Sequence, residues 1–343
     1  MLRSESNAGS AVASTPIPAA ITWQQELAQA IRSADELLRL LELTGHPGLS
    51  VTADTDFPVL VPNSFLQRMQ RGNPTDPLLL QVLPQSAELQ SPSGFGVDPV
   101  GDQAARRGPG LLHKYHGRAL LITTSACAIH CRYCFRRTYP YADEPRRPED
   151  WNPALQLIAE DSSISEIILS GGDPLSLSDR RLAELFQRLD AISHLERIRI
   201  HSRWPIVIPS RVTSGLLSTL QQLRCQPVFV VHANHPQEIA GDCADALRKL
   251  VRTGLPVLNQ TVLLRGINDS PEVLEQLCLK LVNLGVLPYY LHQLDRVAGA
   301  AHFEVPETNG VQLEAELRRR LPGYAVPKYV RETAGAESKL PVG

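Results

Sequence analysis

The sequence predicts an α/β protein built on a partial (β/α)6 barrel, with a helical region before it and an extension after it. Three observations carry that expectation. Between about residues 119 and 295, apolar runs of strand length alternate six times with stretches of helix length. The strand runs read as continuously apolar rather than alternating, as suits a parallel sheet covered by helices. Crossovers of this length are right-handed, which curls such a sheet toward a barrel.

Taken in order, residues 1–20 (MLRSESNAGSAVASTPIPAA) are rich in Ala, Ser and Pro without a continuous apolar stretch, and predict a disordered leader rather than a secretory signal. Residues 21–110 predict a helical N-terminal region. A helical pattern runs from Ile21 to about Gly45, and Ser33-Ala34-Asp35-Glu36 reads as a capping box opening LLRLLEL. Pro62-Asn63-Ser64 opens a further short helix closed by Gly72, and 73–110 is loop-rich. The core is expected over 111–295. Its strands are 119–124, 166–170, 197–202, 227–233, 256–264 and 287–295, with helices such as DRRLAELFQRL and PEVLEQLCLKLVNLG between them. Residues 296–343 form the extension.

In a barrel of this kind the chemistry sits at the C-terminal ends of the strands. Here those ends carry three cysteines, Gly171-Gly172-Asp173, His201-Ser202-Arg203, His232-Ala233-Asn234-His235, Asn259-Gln260, and His292 with Asp295. Asp173 or Asn234 alone could be a helix cap, but six polar strand ends together predict one active site.

Composition excludes several classes. Lys and Arg total 34 against 36 Asp and Glu, a net charge of -2, so no whole-chain field favours a polyphosphate. No apolar run reaches the roughly 18–20 residues that span a bilayer. Of six cysteines, Cys127, Cys131 and Cys134 crowd into eight residues, which reads as a metal or cluster site rather than a disulfide framework and places the chain in a reducing cytoplasm. Cys225, Cys243 and Cys278 read as small buried hydrophobes. Three thiolates on one loop suit a cubane cluster with one iron left open. A zinc loop using His130 or a distant fourth ligand is the alternative. Arg132, Arg136 and Arg137 could form a basic patch, though no aromatic platform is interleaved with them.

Cys127-Ala-Ile-His-Cys131-Arg-Tyr133-Cys134, followed one strand later by Gly171-Gly172-Asp173, resembles the radical S-adenosylmethionine (SAM) superfamily. CAIHCRYCFRR, SGGDPL, HANHPQE, NQTVLLRGIND, PYYLHQLD…AAHF and TAGAESKLPVG together resemble the lysine 2,3-aminomutases, from about Gly110 to the C-terminus. The resemblance implies a 4Fe-4S cluster on Cys127, Cys131 and Cys134. It implies SAM held by Tyr133, Gly171, Gly172, Asp173 and His232. It implies pyridoxal 5′-phosphate (PLP) linked to Lys339, with Arg118 and Gln260 at its phosphate. By the same resemblance Arg136 meets the amino-acid carboxylate, and Asp295 and Glu332 meet the far ammonium of L-lysine. Glu332 stands where the family has aspartate. Ser270 stands where longer members carry a zinc-binding cysteine, so no zinc is expected. The implied reaction moves the amino group of L-lysine from Cα to Cβ and regenerates SAM. The chain resembles the short-form branch that makes (R)-β-lysine for elongation factor P, which implies a functional link to that factor and its lysyl ligase. It also implies a reductant such as flavodoxin or ferredoxin, and no stable nucleic-acid or membrane partner. Homo-oligomerisation stays open. So do two other readings, a polymer-modifying radical SAM enzyme and an aminomutase for an amino acid such as arginine.

Overall fold

The computed structural model describes residues 21–52, 57–90 and 92–343; the leader expected over 1–20 lies outside them. The N-terminal region holds four short helices, α1 (Trp23–Ala28), α2 (Ala34–Leu40), α3 (Asn63–Leu66) and α4 (Pro77–Leu80). The Ser33 half of the capping box forms, its hydroxyl accepting from Glu36 N. The helical pattern breaks into short helices; α2 ends with Leu41 as its C-cap, and Glu42, with φ +61°, turns the chain directly after it.

One sheet runs through the rest, with strands β1 (Arg106–Gly108), β2 (Leu111–Tyr115), β3 (Arg118–Thr124), β4 (Glu166–Gly171), β5 (Arg197–Ser202), β6 (Gln226–His232), β7 (Val257–Val262), β8 (Leu287–His292), β9 (Lys328–Arg331) and β10 (Leu340–Pro341) side by side in chain order. The six predicted strands are β3–β8, all parallel. Strands β1 and β2 add antiparallel in front, β9 adds parallel to β8, and β10 folds back on β9. The sheet therefore extends beyond 111–295 at both ends. Its crossovers are α5 (Asn152–Glu160), α6 (Asp179–Asp190), α7 (Trp204–Val207), α8 (Ser214–Gln221), α9 (Asp242–Arg252) and α10 (Pro271–Val282); α11 (Glu307–Arg320) precedes β9.

The strands correct one expectation. They are not continuously apolar-faced but alternate. Ile167 and Leu169 of β4 and Ile198 and Ile200 of β5 are buried, while the intervening Glu166, Ile168, Ser170, Arg199 and His201 line an interior cavity. The outward face packs on the helices, for example on Leu182, Leu185, Phe186 and Leu189 of α6 and on Cys243, Ala246, Leu247 and Leu250 of α9. Those residues recur at i, i+3, i+4 and i+7, the stripe a helix needs to cover a sheet. Each fully buried leucine or phenylalanine contributes about 1.5–3 kcal/mol. The inward face is polar because it lines a chamber.

A smaller core (Leu263, Leu274, Leu291, Leu313, Leu317 and Tyr329) docks the C-terminal extension on the barrel. Gly310 of α11 is required there, since a Cβ would come 2.2 Å from the Tyr329 ring. Cys225, Cys243 and Cys278 are buried as expected. Ser270 has a local task as N-cap of α10, accepting from Val273 N. Among the described residues, no helix is long and apolar enough to cross a membrane.

Candidate active site

Two cavities, of about 360 and 390 Å³ respectively, lie at the C-terminal ends of β3–β8. They adjoin, because Phe135, Arg136, Ser170, His201, His232, Gln260, His292 and Asp295 line both.

The first holds the three cysteines. The loop after β3 carries them, and the Gly171–Gly172 turn after β4 packs against its base. Gly172 N donates to Thr124 O (2.7 Å) and Asp173 N to Ala126 O (2.8 Å). The glycines are obligatory for that approach: Gly171 has φ +121°, and a Cβ on Gly172 would stand 2.3 Å from Ala126 O. Asp173 serves the same turn, accepting from Leu175 N and Arg203 N. Burial pushes its carboxyl up to about 7 despite those donors. Burial, then the neighbouring thiol of Cys131, pushes the Cys134 thiol up to about 11; Cys127 is raised well above the usual thiol range, again by burial and then by Cys134. Thiols so crowded fit a cationic multi-iron centre, whose charge offsets the cost of three thiolates. Among the described residues, no three His, Cys, Asp or Glu side chains are placed to hold one metal ion. His130 is engaged at Pro58 O through Nδ1 (2.8 Å) and stacks on Phe57.

The loop is clasped from behind by the N-terminal region. Arg132 is fully buried and makes a fork–fork pair with Glu88 (Nε to Oε1, 2.8 Å; Nη2 to Oε2, 2.5 Å). Arg137 donates to the same carboxylate (2.7 Å). Burial works against the Glu88 charge, but the two guanidiniums outweigh it and hold the carboxyl below its ordinary range. His130 N bonds to Leu60 O and Arg132 N to Gln81 O. The basic patch that Arg132 and Arg137 could have formed is thus turned inward onto Glu88.

Tyr133 lines the cavity, with its hydroxyl held by Arg203 Nη1 and Asn234 Nδ2 (both 2.6 Å). His232 lies 3.1 Å from His201 (Nε2 to Nδ1). Burial, then Arg203 and Lys339, lowers His232 to about 4, and burial and His232 lower His201 further, so both rings are neutral at pH 7. His201 Nε2, His292 Nε2 and Arg203 Nε are buried without a protein hydrogen-bond partner. Unspent polar atoms on a cavity wall fit a polar ligand such as SAM or PLP. Asn234 and Asn259, flagged at the strand ends, are instead structural. Asn259 bridges to Ala233, and Asn234 to Val262 N and Gln81.

The second cavity holds the charged residues. Lys339 folds over the barrel on the β9–β10 hairpin, its Nζ 2.5 Å from Glu332 Oε2. Lys114 of β2 reaches Glu332 Oε1 (2.8 Å) and Asp102 (2.6 Å), and Asp102 in turn holds Arg136 Nε (2.8 Å). Burial opposes the Glu332 charge, yet Lys339 and Lys114 keep its carboxyl well below the usual range. Burial and then Glu332 push Asp295 up to about 7, against the pull of Lys339 and Lys114. Arg136 also donates to Ser170 Oγ (3.0 Å). Arg118, at the start of β3, lies over the Tyr115 ring (4.8 Å) and lines this cavity with Gln260. Among the described residues no carboxylate pairs with Arg118, so its cation is available to a phosphate. Sequence reasoning missed Asp102 and Lys114 as site residues. The turn glycine Gly117 between the runs LLHKY and RALLITT was the signal of a hairpin whose first strand carries Lys114.

The chain is similar to several known proteins. A radical SAM superfamily model matches residues 121–210. The L-lysine 2,3-aminomutase of Escherichia coli K12 is 45% identical over 327 residues, covering 95% of each chain. That of Haemophilus influenzae is 43% identical and covers 92% of this chain and 94% of its own. The longer enzyme of Clostridium subterminale is 33% identical, with 93% of this chain and 77% of its own covered. Among solved structures, a radical SAM methyltransferase from Sphaerobacter thermophilus superposes at TM-score 0.45 and 19% identity, over 64% of this chain and 68% of its own.

Proposed function

The chain belongs to the L-lysine 2,3-aminomutase family of radical SAM enzymes, and from that premise we propose that it converts L-α-lysine to β-lysine. Its cofactors are a 4Fe-4S cluster, SAM and PLP. The observation that carries the reading is the adjoining of the two cavities. One has the three thiols and Gly171–Gly172; the other has Lys339, Arg136 and the carboxylates of Asp295 and Glu332 among others; eight residues wall both.

When bound, the cluster and SAM supply a hydrogen-abstracting radical, and PLP supplies the conjugated system that lets an amino group shift between neighbouring carbons. The chain's own residues do the rest. Cys127, Cys131 and Cys134 hold the cluster; Tyr133, Gly171, Gly172, Asp173 and His232 form the SAM side. Lys339 anchors PLP, with Arg118 and Gln260 toward its phosphate. Arg136 takes the substrate carboxylate, oriented by Asp102 and Ser170. Asp295 and Glu332 take the far ammonium. Lys339 Nζ lies on Glu332 in the structure, so Lys339 and a substrate ammonium would compete for that one carboxylate. The enclosed walls exclude water and keep the reacting carbons in one pose.

The finer reading is a short-form enzyme making (R)-β-lysine for elongation factor P, alongside its lysyl ligase, in the cytoplasm, with a flavodoxin or ferredoxin as reductant. The near end-to-end match to the short relatives and the Glu332 substitution support it.

The test is anaerobic turnover after cluster reconstitution, with lysine, SAM, PLP and dithionite and chiral detection of β-lysine. Wild type is expected to form β-lysine, and Lys339→Ala none. An intact cluster that cleaves SAM without forming β-lysine would overturn the assignment.

A further inference from the structure

We infer that Arg203 sets the reduction potential of the cluster, with Glu238 as its counterweight. This rests on the cluster reading of Cys127, Cys131 and Cys134.

Arg203 follows the last residue of β5 and is 6% exposed. Its backbone N donates to Asp173 Oδ2 (2.7 Å), which fixes where the side chain begins. The guanidinium is then held on several sides. Nη2 donates to Gln81 Oε1 (2.7 Å) and Glu238 Oε2 (3.0 Å), and Nη1 to Tyr133 Oη (2.6 Å). Nη1 also donates to Cys131 Sγ, a thiol assigned to the cluster. Nε is buried with no protein partner, and Arg203 lines the same cavity as the thiols. A guanidinium does not lose its proton in a protein, so this is a fixed positive charge.

The loop's own arginines are directed elsewhere, Arg132 and Arg137 to Glu88 and Arg136 to Asp102. Glu238 is as firmly placed as its partner: it is fully buried and accepts from Asn234 N (2.9 Å) and His235 N (3.0 Å). Both residues are buried, so screening of their charges is weak.

Cluster potentials follow net charge, hydrogen bonds to sulfur and solvent exposure. Reduction adds one negative charge to the cluster. A donor and a positive charge at Cys131 Sγ stabilise the reduced form and raise the potential, while the Glu238 carboxylate opposes them. The two residues should therefore move the potential in opposite directions, which a merely structural role would not do.

The experiment reconstitutes the full chain as wild type, Arg203→Gln, Arg203→Lys and Glu238→Gln. Iron and sulfide are quantified, and the cluster is titrated anaerobically by EPR-monitored redox potentiometry without SAM. Arg203→Gln is expected to lower the equilibrium constant for reduction about tenfold, which for a one-electron couple is about 59 mV more negative. Glu238→Gln is expected to shift it positive, and Arg203→Lys to lie closer to wild type than Arg203→Gln. Unmoved potentials, or a shift of the same sign in Arg203→Gln and Glu238→Gln, would overturn the inference. If Arg203→Gln takes up no cluster, Glu238→Gln decides: a positive shift upholds the inference, and none or a negative one overturns it. A wild type that binds no cluster removes the functional reading as well, whereas a loaded wild type with unmoved variants removes only the role of Arg203.

Discussion

Lowering the pH from 8 to 6 is expected to raise the KM for lysine at least about tenfold, through the protonation of Asp295. Burial and the nearby Glu332 push that carboxyl up to about 7, and Lys339 and Lys114 restrain it. Only the ionised form pairs with the substrate ammonium, so binding is gained as pH rises through 7 and lost as it falls. With the apparent KM scaling as one plus the ratio of protonated to ionised carboxyl, a pKa near 7 gives factors of about 1.1 at pH 8 and about 11 at pH 6. Glu332 does not share the dependence, because its carboxyl is held well below the usual range. The assay is anaerobic initial-rate kinetics of wild type and Asp295→Asn across pH 6–8, with SAM and PLP saturating. The variant should show a KM raised about tenfold or more at pH 8, the worth of a hydrogen bond to a charged group, and no further rise toward pH 6. A wild-type KM flat across this range, or a variant that keeps the pH limb, would refute the assignment of the far ammonium to Asp295.

Other expectations follow from packing. Gly172→Ala drives a Cβ to 2.3 Å from Ala126 O at the base of the cysteine loop, and should reduce iron uptake on reconstitution and lower the melting temperature; Gly323→Ala, with nothing within 4 Å, should leave both unchanged. Glu88→Gln removes the carboxylate charge shared by the buried Arg132 and Arg137 and should destabilise the fold by about 3–5 kcal/mol in denaturant melts. Phe186→Ala, fully buried between α6 and the sheet, should cost about 3–5 kcal/mol by the same melts while iron uptake stays intact.

The barrel was legible in the sequence because its strands are punctuated by helices with clear stripes, and β5 (Arg197–Ser202) falls where RIRIHS predicts it. The cysteine loop was legible because its three cysteines fall within eight residues. What the sequence hid is what distance in the chain hides. Arg132 and Glu88 are 44 residues apart, and Lys114 and Glu332 218. Neither partner announces the other, and a buried arginine looks like a surface one until its carboxylate is found. The polar strand faces were misread for a related reason. Ile-Ile-Leu in β4 appears continuous, yet Ile168 points into the chamber with Glu166 and Ser170, so one apolar residue masked the period of two. The extension hid β9 and β10 because four and two residues are too few for periodicity to register.

That extension explains why Glu332 can stand where the family resemblance leads one to expect aspartate. The edge strands of the sheet are β1 and β10, and among the described residues no backbone ladder joins them. Glu332 spans the gap with side-chain bonds, one oxygen to Lys114 on β2 and the other to Lys339 beside β10. A shorter acid at this position would lie about one methylene farther from one of the two ammoniums. The same carboxylate thus closes the barrel wall and holds the place of the substrate ammonium. Glu332→Asp should therefore act on both: a higher KM for lysine from kinetics, and faster amide hydrogen exchange along β9 and β10, where Glu332 alone reaches across to Lys114. A KM change with unaltered exchange would separate the two roles and leave the wall closed by other contacts.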